Sequence, residues 1–241
     1  MSAELAMSAA LAQRRQLQGA PAPAGLLDRV RRQLALESAD FAYRSAVRQE
    51  ELRVYELASY YSVETAVVPL LPGSVSRPVE DAIAGLHSLY ALAGYDQYYL
   101  VHAHFEFPYA NAASIADLRA YYLEAQQKYG VDASYLASIN FIESAFGRND
   151  GPSSAGAQGP MQFLPGTWAN WGEGGNIWDP HDAILAAARY LVHYGAPDDM
   201  RQAIFHYNLD YDYVDAVEFF ARAIRADPAW LDRLYYWNTS G

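Results

Sequence analysis

The sequence predicts an all-α protein. Apolar residues recur at steps of three and four, residues that start and stop helices punctuate the chain, and almost no strand signal follows Ala112. The first eighteen residues are expected to be a loosely attached helical arm, set off by the hinge GAPAPAG at 19–25, which cannot continue a helix. From Leu26 to about Tyr61 the pattern is helical, as one helix or two in line, with Leu27, Val30, Leu34, Leu52, Tyr55 and Leu57 falling mostly at helical steps. Pro69, Pro72 and Gly73 end that run, and Pro78 suits the first turn of a helix from Val79 to Leu92.

Residues 95–109, YDQYYLVHAHFEFPY, alternate enough to read as extended chain or a short strand. Ser114 followed by Asp117 resembles a capping box for a helix through Leu118, Tyr122 and Ala125 that stops at Gly130. Asp132 caps the next helix, which runs to about Ala145. A polar loop opens at Gly147, and the run Pro160 to Trp168 makes a turn that starts a further helix. Asp179-Pro180 starts one ending at Gly195, Pro197 to about Tyr207 makes another, Asp210 to about Arg225 the next, and Asp227-Pro228 a last short one.

Composition narrows the function. The 241 residues are 52% apolar, enough for one large core or two small ones. Seventeen basic residues against 28 acidic ones leave a net charge of −11, which repels nucleic acid. Without cysteine there are no disulfides, thiolate zinc sites or cysteine nucleophiles. No stretch reaches the length of a membrane span, and no export signal is read, because Arg14 and Arg15 follow the first apolar run instead of preceding it. His102 and His104 lack a third ligand at a recognisable spacing and no HExxH pattern occurs, so neither a metal nor a cofactor is expected. The 20 tyrosines suit sugar faces and ordinary cores alike.

One residue is out of place. Leu136, Ile139, Glu143 and Phe146 are spaced 3, 4 and 3 apart and share one helical stripe. A carboxyl on a core-facing stripe is desolvated and keeps its proton near neutrality, as a general acid must; at the edge of the stripe it would only pair with a neighbouring loop. The loop after this helix, Ser153 to Gly159, is rich in glycine and small residues, so its backbone can approach a ligand closely. Gln162 then presents an amide able to donate to and accept from a sugar, between Met161 and Phe163, which either exclude water there or simply pack.

The run Ile142-Glu143-Ser144-Ala145-Phe146-Gly147, then GAQGPMQFLPGTW at 156–168, then Asp182-Ala183-Ile184, Ala188 to Leu191, Tyr207-Asn208 and Tyr213-Val214 resembles the soluble lytic transglycosylases of the lysozyme-like superfamily, the actinobacterial members most. The likeness covers about residues 118–225. It implies a lysozyme-like fold in which Glu143 is the single catalytic acid and base and Ser144 its companion. It further implies that Ser153 lies near the scissile sugar, that Met161, Gln162 and Phe163 line the cleft, that Tyr207 approaches the glutamate, and that Asn208 holds the turn after it. For Ser144 and Asn208, helix-end and turn hydrogen bonding is an equal reading.

The implied activity is cleavage of the β-1,4 bond between N-acetylmuramic acid and N-acetylglucosamine in peptidoglycan, leaving 1,6-anhydromuramoyl ends, outside the cytoplasm. A hydrolytic muramidase, with Glu173 positioning water, and a non-catalytic glycan-binding or phage structural protein are the alternatives. The expected organisation is an arm and hinge at 1–25, a helical region at 26–111 that meets a cell-wall protein partner or positions the enzyme, and a catalytic domain at 112–241.

Overall fold

The computed structural model describes residues 3–59, 65–94, 112–149 and 151–237. The segment expected to be extended, 95–109 with its His102 and His104, lies outside them. Among the described residues there are ten α-helices: α1 (Ala3–Gly19), α2 (Leu26–Ser59), α3 (Gly73–Leu92), α4 (Ile115–Tyr129), α5 (Ala133–Ser144), α6 (Pro165–Trp171), α7 (Pro180–His193), α8 (Met200–Tyr207), α9 (Tyr211–Ala226) and α10 (Ala229–Tyr236). A 3-10 turn at Val68–Leu70 precedes α3, and the extended pairing is confined to one bridge, Gln158 with Phe163.

The caps explain the boundaries of the second half. Ser114 accepts from the Asp117 amide at 3.1 Å, and α4 closes on Gly130 at φ 76°, a left-handed conformation that a side chain disfavours. Asp132, Asp179, Asp199 and Asp210 each accept first-turn amides of α5, α7, α8 and α9. Two expectations change in the first half. Helix α3 begins at Gly73, not Val79, and carries a buried Pro78 in its second turn, where the missing N–H forfeits the bond to the Ser74 carbonyl and the ring crowds that oxygen. In α2, Leu27, Val30, Leu34 and Leu52 face solvent, while the buried face holds Ala39, Tyr43, Ala46 and Val47, α2 packing on α1, α3 and α10.

Helix α5 lies at the centre, touching α4, α7, α9 and α10. Its apolar stripe is therefore wider than the periodicity implied: Ala137, Ser138 and Asn140 are buried along with Leu136 and Ile139. The buried polar groups are satisfied, Ser138 donating to the Ser134 carbonyl at 2.8 Å and Asn140 to the Tyr122 hydroxyl at 2.7 Å. Helix α9 is wedged between α5 and α3. The approach of α3 is so close that a Cβ on Gly85 would lie 2.9 Å from the Phe220 ring. Asp81 and Arg222 pair across the same contact at 2.8 Å, and Tyr43 meets Tyr236 edge-on at 5.6 Å, joining α2 to α10.

Candidate active site

Glu143 occupies the last turn of α5, and the next residues end the helix abruptly. Ala145, Phe146 and Gly147 take φ values of 48°, 64° and 86°, three left-handed residues in a row, of which only the glycine adopts that region without strain. The turn is held by burial of Phe146 and by Ser144, whose hydroxyl donates to the Pro160 carbonyl at 2.6 Å and accepts from the Gly147 amide at 2.8 Å. Ser144 is buried with its hydroxyl engaged on both sides, so its geometry is that of a helix-end tie.

The Glu143 side chain is half-buried, and the Tyr213 hydroxyl donates to its Oε1 at 2.6 Å. Burial pushes the carboxyl from its ordinary 4.5 up to about 7, against the Tyr213 bond, which favours the charged form and pulls it down. Burial also raises the Tyr213 hydroxyl well above its usual value, with the nearby Glu143 charge adding to the effect. The group is thus a carboxylic acid that retains its proton near neutrality, oriented by a neutral phenol.

The hydroxyl bonded to the carboxyl is that of Tyr213; Tyr207, which the family resemblance brings toward the glutamate, lies near enough that, after burial, the Glu143 charge helps raise its hydroxyl above the usual value, but its hydroxyl bonds elsewhere. Tyr207, at the end of α8, donates to the Met161 carbonyl at 2.7 Å. Tyr213, in the first turn of α9, faces α5 and reaches the acid. The two rings lie parallel, 6.5 Å apart, so Tyr207 backs Tyr213 and fastens the Met161 turn instead of touching Glu143 through its hydroxyl. Tyr213 appears in the Tyr-Val pair after Tyr-Asn, but a second tyrosine six residues on gives no sign of which hydroxyl turns inward.

The loop between α5 and α6 is braced by backbone bonds. Gln158 and Phe163 exchange N–H···O bonds at 2.8 and 2.9 Å, and Gly159 at φ 74° is obligatory, since a Cβ there would stand 1.9 Å from the Ile177 carbonyl. Gln162 at the tip takes φ 48° and is half-buried, its amide donating to the Gly159 carbonyl at 2.9 Å. Met161 and Phe163 are buried, and Phe163 packs against Trp168, Tyr190 and Tyr207. Ser153 is exposed and its hydroxyl accepts from the Ala157 amide at 3.0 Å, while Asn208 is exposed in the turn between α8 and α9.

Glu173 sits at φ 49° on an exposed loop and pairs with Arg189 at 3.1 Å; Arg189 in turn donates to the Trp171 carbonyl and the Tyr129 hydroxyl. Asp179, His181 and Asp182 bring three metal-capable atoms within 4.8 Å of one another. Each already has structural work: Asp179 caps α7, Asp182 accepts from the Asn176 amide at 2.8 Å, and His181 bonds Glu124 at 2.8 Å.

Residues 120–210 match the family model of the transglycosylase SLT domain, a segment running from α4 to α8 and ending three residues before Tyr213. No curated protein and no solved structure matches the chain. With that match laid over an all-helical bundle whose central helix carries Glu143 in its last turn, residues 120–210 form a transglycosylase SLT domain of the lysozyme-like superfamily, of the lytic type that degrades peptidoglycan.

Proposed function

We propose that the protein is a peptidoglycan lytic transglycosylase, acting outside the cytoplasm, in which Glu143 is first acid and then base. Neutral Glu143 gives its proton to the oxygen bridging N-acetylmuramic acid and N-acetylglucosamine, and the bond from that oxygen to C1 breaks as the muramoyl ring gains oxocarbenium character. The carboxylate, steadied by the Tyr213 hydroxyl, then takes the proton of the same sugar's 6-hydroxyl, and O6 bonds to C1 to close a 1,6-anhydro ring. The nucleophile belongs to the substrate, so no water is consumed and the high effective concentration of an intramolecular hydroxyl replaces a second catalytic carboxylate.

One observation carries this reading. Only burial and the Tyr213 bond shift the Glu143 carboxyl, so among the described residues no second carboxylate lies close enough to be felt. In a glycosidase with paired carboxyls at roughly 5–9.5 Å, each would raise the other. The muramidase alternative needs such a partner, and its nearest sequence candidate, Glu173, is engaged by Arg189. In this reading Gln162, Ser153 and Asn208 are polar groups that meet the glycan.

Digestion of purified sacculi with mass-spectrometric identification of the products tests the proposal. Anhydromuramoyl ends are expected. Reducing muramic acid ends would establish hydrolysis instead, and an absence of cleavage would leave a glycan-binding protein.

A further inference from the structure

We infer that the tip of the hairpin formed by α1 and α2 is a docking surface for a negatively charged lipid bilayer. Between residues 11 and 38 no described residue is buried, and the first buried residue of α2 is Ala39. At 1.5 Å per residue the start of α2 therefore stands about 20 Å beyond the first position packed into the protein. A helix end so far from any core would be expected to be polar. Instead Leu26, Leu27, Val30 and Leu34 are 49–73% exposed, and Phe41 extends the same line. At helical spacing these five fall within an arc of about 100°, opposite the buried face of Ala39, Tyr43, Ala46 and Val47.

Charge identifies the occupant. Residues 11–38 hold five arginines, Arg14, Arg15, Arg29, Arg31 and Arg32, against Asp28 and Glu37, a net +3; the rest of the chain carries −14, which gives the total of −11. An anionic surface thus attracts the tip and repels the body, so the molecule meets it tip first. Arg32 is held by the hinge, donating to the Gln18 and Pro21 carbonyls at 3.1 Å, and Arg14 pairs with Asp40 at 3.1 Å. Arg29 has no ion-pair partner among the described residues, whereas Arg15, like Arg14, lies near enough to Asp232 of α10 to favour its charged form. Leucines between arginines at a helix start bury their side chains at the boundary of headgroups and acyl chains while the guanidinium groups reach lipid phosphates. A second copy of the chain fits less well, because pairing the stripes would bring two +3 tips together. No described helix is long and apolar enough to cross a membrane, so the tip lies in the surface of the bilayer.

The test is co-sedimentation of the full chain with vesicles of phosphatidylglycerol and phosphatidylcholine, compared with phosphatidylcholine alone, at low and high salt. Binding is expected on the anionic vesicles only, weakened by salt. Arg29→Gln should lower it about fivefold, at roughly a factor of five per arginine. Leu27→Ser, Val30→Ser and Leu34→Ser together should abolish it while the melting temperature stays unchanged, since these side chains contact no core. Equal binding to both vesicle types, no binding to either, or wild-type binding by the substituted chains would overturn the proposal. A dimer in solution that the serine substitutions dissociate would overturn it too, by assigning the stripe to a second copy.

Discussion

Replacing Glu143 by glutamine should stabilise the protein, and by an amount that depends on pH. In the unfolded chain the carboxyl ionises above its ordinary 4.5, whereas in the folded protein burial holds the proton until about 7. Between those values the folded state binds more protons than the unfolded one, so stability falls as pH rises through the window, and the full penalty is present above pH 7. At 1.36 kcal/mol per pH unit that penalty is about 3 kcal/mol. Glutamine has the same shape, keeps an oxygen for the Tyr213 hydroxyl and carries no charge at any pH. The variant should therefore melt with the wild type near pH 4 and about 6–12 °C above it at pH 8, taking roughly 2–4 °C per kcal/mol for a chain of this length. The assay is paired thermal unfolding from pH 4 to 9, in which other titrating groups cancel in the difference. Glycan cleavage by the variant should drop to about 1% of wild type or less. A melting difference that stays flat across pH 5–8 would refute the argument that Glu143 is held as a desolvated acid.

Three further outcomes are expected. Tyr213→Phe removes the bond that lowers the Glu143 pKa, so cleavage, which should fall in the wild type as pH rises through about 7, should keep to higher pH at reduced turnover; Tyr207→Phe should leave that limb in place and cost about 1 kcal/mol of stability through the lost bond to Met161. An unmoved limb in Tyr213→Phe would remove the phenol from the acid's control. Gly85→Ala should destabilise by about 1–3 kcal/mol in thermal or urea unfolding, because the added carbon meets the Phe220 ring at 2.9 Å. Residues 112–241 expressed alone should melt below the full chain, since α3 covers the outer face of α9; equal melting temperatures would show the two halves to be independent.

The contact between α3 and α9 also bears on how the site is held. Helix α9 carries Tyr213 at its start and Phe220 two turns later, and the Phe220 ring is where Gly85 admits α3. The first half of the chain thus backs the helix that presents the phenol to Glu143.

Many features of the fold are encoded locally. Ser114, Asp132, Asp179 and Asp210 mark helix starts because a short side chain satisfies orphan amides within three residues of itself, and Gly130 marks a stop because only its own φ is at issue. Glu143 is legible for a similar reason: a charged residue at a 3–4–3 spacing among apolar ones shows its misplacement without any knowledge of its surroundings. Other features depend on relations between distant segments, which periodicity does not encode. Whether Tyr207 or Tyr213 meets the acid is decided by how the turn at Asn208–Asp210 aims α9 at α5, and burial of Met161 and Phe163 results from α7 and α8 closing over the loop. The α2 pattern shows the same limit from the other side, since its leucines announce a helix but not which face is covered. The buried face instead includes the small residues Ala39 and Ala46, because close packing selects for fit, whereas hydrophobicity alone leaves the direction of a face undetermined.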